Sequence, residues 1–246
     1  MQAILEIKNF TKKYSQEKKA VDDLSLSVMP GEIYGFIGHN GAGKTTTIRA
    51  VVGVMGFDNG EVLIDGHSVK KEPVICKSIT AYIPDNPDLY DYVTGIQYLN
   101  YMADMFSVDE RHREERIRKY ADLFGITDSL GNLVSSYSHG MKQKLALIGA
   151  FLHLPKLLVL DEPFVGLDPE AAFHLKEIMR ELCNQGSAIF FSTHVLDVAE
   201  KLCDKVAIIK QGKMVRCGTM EEVKGSGSLE DVFMGVVPVS YTHLRA

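Results

Sequence analysis

No apolar run in this chain is long enough to span a bilayer. The most apolar stretch, Leu145 to Leu160, is broken by His153, Pro155 and Lys156. It falls short of the roughly 18–20 residues a spanning helix needs. The opening segment, Met1 to Tyr14, lacks an apolar h-region, so no secretory signal is expected there. Paired cysteines are also missing. Cys76, Cys183, Cys203 and Cys217 form no CxxC spacing, which argues against a structural zinc site or a thioredoxin-type couple and fits reduced thiols in the cytosol. Nor is there an excess of positive charge. Lys and Arg number 27 against 32 Asp and Glu, a net charge of -5, so the electrostatic footprint of a nucleic-acid-binding body is absent. No internal repeat is evident. What remains is 246 residues, 46% hydrophobic and 24% charged. That suffices for one domain with its own core, or a core domain carrying a subdomain.

The periodicities alternate between two kinds. Ile4 to Lys8, Leu24 to Val28, Ile33 to Ile37 and Gly60 to Asp65 read as strands, with turn signals at Pro30-Gly31 and Asp65-Gly66. Thr45 to Val52 reads as a helix. From about Asp85 to Leu154 the pattern is helical, and no convincing strand lies between Thr94 and Phe124. The short apolar runs Leu157–Leu160 and Ala188–Ser192 suit buried parallel strands. Helices are expected at Pro169–Cys183 and Val195–Leu202, a hairpin at Val206–Cys217 and a short helix at Ser226–Phe233. This order predicts an α/β fold: a mainly parallel sheet core, an antiparallel β piece near the N-terminal end, and an inserted helical subdomain.

Gly38-His39-Asn40-Gly41-Ala42-Gly43-Lys44-Thr45 fits G-x-x-x-x-G-K-[ST], between an expected strand and an expected helix. Its glycines allow a tight backbone whose N–H groups converge on phosphate oxygens, and the helix N-terminus adds partial positive charge. Lys44 is placed to reach the β- and γ-phosphates. The Thr45 hydroxyl is a ligand for Mg²⁺, and Thr46 follows it into the helix. By itself this loop specifies a P-loop nucleotide-binding protein and does not separate kinase, GTPase, helicase or transporter.

A second element is Leu157-Leu158-Val159-Leu160-Asp161-Glu162-Pro163, an apolar strand ending in two carboxylates. In open parallel sheets, ligands sit at such strand ends. Asp161 suits the metal, directly or through water. Glu162 suits polarisation of the attacking water.

With these motifs and three further segments the sequence resembles the ABC ATPase family, in order and spacing, from Leu5 to about Phe233. Tyr137-Ser138-His139-Gly140-Met141-Lys142-Gln143 resembles the family signature LSGGQ with its basic tail. Gly166-Leu167-Asp168 is similar to the D-loop, and Phe191-Ser192-Thr193-His194 to the strand ending in the switch histidine. The resemblance implies P-loop NTPase architecture and Mg²⁺-dependent ATP hydrolysis. It also implies a head-to-tail dimer, either a homodimer or a heterodimer with a related ATPase subunit. Each ATP would lie between one phosphate loop and the other subunit's Ser138, His139, Gly140 and Met141. His194 would contact the γ-phosphate, Asp168 would help join the two sites, and Tyr14 would stack on adenine. Partner transmembrane permease subunits, a place on the cytoplasmic face of the membrane, and no nucleic acid are implied as well.

Departures are confined to a few positions. Tyr, His and Met replace Leu, the first Gly and Gln of the signature. Asp85 falls where the family has a glutamine that touches Mg²⁺, and a carboxylate there can bind the metal but cannot donate as an amide does. Near Asp85, Tyr90, Tyr92, Tyr98, Tyr101 and Met102 exceed what a solvated helical face needs, and a groove for a permease helix is expected among them.

The expected organisation is one ATPase domain over 1–235, with core segments 1–84 and 155–220, a helical subdomain about 85–154 and a C-terminal helix about 226–234. A tail without family character, expected to be disordered, occupies 236–246. The short ending is similar to that of exporter-type subunits. An ABC ATPase acting on nucleic acid or the ribosome stays open as an alternative.

Overall fold

A computed structural model of the protein describes residues 2–15 and 19–236. The chain opens with two antiparallel strands, β1 (Leu5–Lys13) and β2 (Lys19–Val28), and then enters β3 (Ile33–Ile37). α1 (Lys44–Val51), β4 (Asn59–Ile64), β5 (His67–Ser68), α2 (Pro73–Ser78) and β6 (Thr80–Ile83) follow. Three longer helices come next: α3 (Gly95–Met105), α4 (Glu110–Leu123) and α5 (His139–Phe151). The second half contains β7 (Leu157–Asp161), α6 (Pro169–Asn184), β8 (Ala188–Thr193), α7 (Leu196–Leu202), β9 (Lys205–Lys210), β10 (Lys213–Thr219), α8 (Met220–Lys224) and α9 (Leu229–Val236).

Two sheets result. The larger has the order β10-β9-β3-β8-β7-β6. All its pairings are parallel except that of β10 with β9. The smaller is antiparallel, in the order β2-β1-β4-β5. The α/β architecture read from the alternation of patterns is therefore the one observed.

Strand period explains how the larger sheet is buried. Successive side chains point to opposite faces, and both faces here are apolar. Ile33, Ile37, Leu158, Leu160, Ile189, Phe191, Val206 and Ile208 pack into one core with α3 to α7. Tyr34, Phe36, Leu157, Val159, Phe190, Ala207 and Ile209 pack into the other, with α1 and the small sheet. That is why these strands read as continuous apolar runs. The helices from α3 to α5 share their core with the sheet: Leu99, Tyr120, Phe124, Leu145 and Phe151 belong to the same cluster as Leu158 and Phe191.

Local signals set the helix starts. Thr94 and Gln97 form a reciprocal capping box on α3, and Asp109, Ser138 and Asp168 each accept a backbone N–H in the first turn of α4, α5 and α6. Several expectations need correction. β1 and β2 extend well beyond Ile4–Lys8 and Leu24–Val28, because they pair along their whole length through register shifts. The strand β6, hydrogen-bonded to β7 at the sheet edge, had no counterpart in the sequence reading. Its four residues are too few to show a period. The terminal helix runs later than Ser226–Phe233, and Val236, assigned to the tail, ends it, its carbonyl accepting from Lys210 Nζ at 3.0 Å. The rest of the expected tail, 237–246, lies outside the described residues.

His153 lies just beyond α5, stacked on Phe106 with ring centroids 3.7 Å apart. Neither of its ring nitrogens is exposed to water or hydrogen-bonded to a side chain. Burial, opposed by the Thr80 backbone and reinforced by the charge of Arg116, pushes the imidazole down from 6.5 to about 4. Between those values the unfolded chain binds a proton that the folded chain refuses, so stability falls as pH drops through that window. In His153→Phe this loss disappears. Thermal unfolding from neutral pH down to about 4 is expected to show a smaller fall in Tm for the variant than for the wild type.

Candidate nucleotide site

The phosphate loop connects β3 to α1. Gly43, the residue before α1, has φ +114, and a Cβ there would lie 2.7 Å from the Ala20 carbonyl oxygen. Only glycine satisfies both conditions. The loop is also fastened from outside. Gly212 N donates to Ala42 O at 2.9 Å, and Asp22 N donates to Gly212 O at 2.8 Å. The β9–β10 turn thus clasps the loop against β2.

A cleft of about 490 Å³ opens over this loop. Tyr14, His39, Asn40, Gly41, Gly43, Lys44, Thr45, Thr46, Asp85, Asp161 and Glu162, all singled out from the sequence, line it. Lys19, Ala20 and Gln211 line it too and were not anticipated. Gln211 had been read only as part of a hairpin turn, and nothing in sequence proximity joins residue 211 to the loop near residue 41. Gly38 takes part through its carbonyl oxygen, which accepts from Lys44 Nζ at 2.6 Å. Tyr14 is 60% exposed, and its hydroxyl lies 3.2 Å from Thr46 Oγ1. Lys12 Nζ lies over its ring, 5.9 Å from the centroid, at the mouth of the cleft.

The charged centre is compact. Lys44 is buried (6% exposed) and pairs with Glu162 Oε1 at 3.2 Å. Glu162 Oε2 lies 3.0 Å from His194 Nδ1 and accepts from His194 N at 3.3 Å. Glu162 holds φ +49, a left-handed conformation uncommon for a non-glycine residue. Its own N–H donates to Ser192 Oγ at 3.1 Å. The strained turn at the end of β7 thus presents the carboxylate to the cleft.

Asp161 is 1% exposed. Its Oδ1 accepts from the Ser192 hydroxyl, while its Oδ2 is buried without a hydrogen-bond partner. Burial raises its pKa, opposed by the neighbouring hydroxyls of Ser192 and Thr45 and reinforced by the negative charges of Asp85 and Glu162. A buried carboxylate oxygen left without a donor, beside a threonine hydroxyl and more carboxylates, fits a divalent cation. Among the described residues no cluster of three or more His, Cys, Asp and Glu could enclose a metal. A cation here would take its remaining ligands from phosphate and water, as Mg²⁺ does.

The remaining candidates stand apart from this cleft. Ser138 caps α5, its hydroxyl accepting from Met141 N at 3.3 Å, and His139, Gly140 and Met141 form the first turn of that helix. Asp168 caps α6, where Oδ1 accepts from Ala171 N at 2.9 Å and Oδ2 pairs with Lys144 at 2.7 Å. Within one chain neither element touches the nucleotide cleft.

The parallel sheet, the phosphate loop at a strand end and the carboxylate pair on β7 define a P-loop NTPase. A family model described as ABC transporter matches residues 21–165. The chain belongs to the ABC transporter ATP-binding family and is an ABC ATPase that binds ATP. It is 42% identical over 219 residues to an uncharacterized ABC transporter ATP-binding protein, YhcH, of Bacillus subtilis (strain 168), covering 87% of this chain and 70% of that protein. A solved structure of an ATP-binding subunit of an ABC transporter superposes with a TM-score of 0.91 at 33% identity, covering 95% of this chain and 99% of the other. The ATP-binding cassette MJ0796, solved as a dimer in a post-hydrolysis state with ADP and Pi, shares the fold with a TM-score of 0.80 at 19% identity, over 88% of this chain and 98% of that one.

The Lys44–Glu162 pair makes a quantitative demand. Lys44→Met removes a charge-assisted phosphate contact, and ATP binding is expected to weaken by roughly tenfold or more. Glu162→Gln releases Lys44 from its competitor, and binding is expected to tighten by roughly threefold. Fluorescent-nucleotide titration at low protein concentration, without divalent metal, measures both changes.

Proposed function

We propose that this chain is the ATP-hydrolysing subunit of an ABC transporter, working as a head-to-tail dimer beneath transmembrane permease subunits. The observation that carries this reading is the position of Glu162, between Lys44 and His194 and next to the metal-competent Asp161. ATP entering the cleft lays its phosphates on the backbone N–H groups of Gly41 to Thr45 and draws Lys44 away from Glu162. The freed carboxylate then accepts a hydrogen bond from a water in line with the γ-phosphate. That water's oxygen bonds to phosphorus, the bond to the β–γ bridging oxygen breaks, and Glu162 takes up the water's proton. His194 holds Glu162 through Oε2 and reaches the γ-phosphate from the same side. Thr45 and Asp161, with Asp85 at the rim, are the residues that would hold Mg²⁺. Bound there, it would neutralise charge on the β- and γ-phosphates. Tyr14 supplies the stacking surface for the base, a contact worth roughly 1–3 kcal/mol in comparable settings.

In this reading Ser138, the Gly140 N–H and their neighbours His139 and Met141 serve the partner subunit's ATP. At the N-terminal end of α5, Ser138 is the cap, and it and His139 are exposed, as an anion-binding helix end requires. The dimer described for MJ0796 supports such an arrangement by analogy of fold. The permease contact falls to a second cleft of about 540 Å³, lined by Tyr90, Tyr98, Tyr101, Met102 and Met105. Tyr90 and Tyr101 meet edge to face there and are both exposed. Among the described residues no helix is long and apolar enough to cross a membrane, so translocation is assigned to the partner and this chain to the cytoplasmic face. Export is the direction we favour, from the likeness of the segment Ser226–Phe233 to exporter-type subunits. No observation favours action on nucleic acid or the ribosome.

ATP-dependent dimerisation tests this reading. Glu162→Gln is expected to run as a dimer with ATP on size-exclusion chromatography, and to lose the dimer when Ser138→Arg is added. A Glu162→Gln protein that binds ATP yet stays monomeric at saturating nucleotide would overturn the sandwich arrangement for this chain alone.

A further inference from the structure

The signature helix and the D-loop, called on separately by the family resemblance, touch each other closely within one subunit. At the first turn of α5 their backbones abut. A Cβ added to Gly140 would sit 2.7 Å from the Gly166 carbonyl oxygen, and one added to Gly166 would sit 2.7 Å from the His139 ring. Gly166 has φ +81, so this turn also depends on glycine for its conformation. About one turn further along α5, Lys144 Nζ meets Asp168 Oδ2 at 2.7 Å. Lys144 is largely buried, at 15% exposure. It borders a small cleft of about 220 Å³ that also contains Asp122 and Glu170. Of these carboxylates it pairs with Asp168, whose other oxygen caps α6. The ammonium and the Ala171 N–H together hold the carboxyl well below its usual range.

We infer that Lys144 is a positioning residue that clamps the D-loop to the signature helix, so that both elements cross to the partner subunit as one rigid unit. Three contacts support this: the Gly140–Gly166 backbone approach, the His139 ring against Gly166, and an ion pair whose Lys144 end is largely buried and whose Asp168 end is half exposed. With both carboxylate oxygens of Asp168 engaged in its own chain, the D-loop is set before the partner arrives. Without the clamp, each dimerisation event has to order the D-loop anew, an entropic cost that falls on association and not on binding of ATP by the monomer. Lys144 touches neither phosphate nor water in this scheme. The inference rests on the head-to-tail reading proposed above.

The test uses the full chain in the Glu162→Gln background, with Lys144→Met, Lys144→Arg, Asp168→Asn and the Met/Asn double variant. Asparagine keeps the helix cap while removing the charge. Lys144→Met is expected to raise the ATP concentration for half-maximal dimerisation by roughly fivefold, with Lys144→Arg restoring most of it. Fluorescent-nucleotide affinity of the monomer is expected to stay the same. The double variant is expected to be no worse than either single change, as for residues acting through one contact. Hydrogen–deuterium exchange of the monomers, which needs no dimer, is expected to show residues 166–172 exchanging faster in Lys144→Met than in Lys144→Arg.

The failures are distinguishable. A parent that never dimerises with ATP defeats the sandwich reading, and the exchange data then decide the clamp. A parent that dimerises while Lys144→Met does so at the same ATP concentration overturns the clamp. Additive effects in the double variant, or unchanged exchange over 166–172, also overturn it. A general loss of fold would appear as weakened monomer nucleotide binding and would leave Lys144→Arg and Asp168→Asn to decide.

Discussion

Lys44 carries its positive charge where water scarcely reaches, and a buried ammonium has to find an anion. In this chain the anion is the Glu162 carboxylate, at 3.2 Å. Much of the surrounding structure follows from that requirement. The glycines of the loop let Lys44 fold back over Gly38. The left-handed turn at Glu162 brings its carboxylate into reach, and Ser192 at the end of β8 holds both the Glu162 N–H and Asp161 in place. In the proposed reading a phosphate takes over as the counter-anion and frees Glu162 to face a water that would attack the γ-phosphate. In that reading binding is coupled to readiness for hydrolysis through one exchange of partners.

The same centre is mechanically joined to the rest of the molecule. β6 forms the sheet edge beside β7, and two residues beyond its end the chain reaches Asp85 at the rim of the nucleotide cleft. Tyr82 and Ile83 of that strand line the aromatic groove proposed for the permease. A short strand therefore has the nucleotide cleft at one end and the proposed partner surface along its side. The helices that form the groove share one core with the parallel sheet, and well-packed interiors of this kind shift between discrete arrangements and do not deform continuously.

Much of the site was legible because its chemistry is local. The phosphate loop, the β7 carboxylates and the capping residues each act over a handful of consecutive positions, so residue type and spacing carry the information. Glu162 and Asp161 were identifiable from an apolar run ending in two acids. Gln211 was not, since its place in the cleft comes from a hairpin clasping a loop some 170 residues earlier in the chain, and Lys19 and Ala20 were not, since they reach the cleft by the packing of β2 against that loop. β6 escaped notice for a related reason. Four residues, three of them buried, show no alternation to read, and their strand character comes from the ladder with β7.

Sequence alone determined the class of site here: a phosphate cradle, a metal-competent carboxylate and the carboxylate proposed as base, each encoded in a contiguous motif. Tertiary structure decided the pairings between motifs. That Lys44 meets Glu162, that Glu162 meets His194, and that Lys144 meets Asp168 depends on strand order and helix packing. Those in turn depend on how two apolar faces of one sheet are covered by segments distant in the chain. Periodicity says that a face must be buried. It does not say which distant segment buries it, and that choice sets the distances on which the site depends.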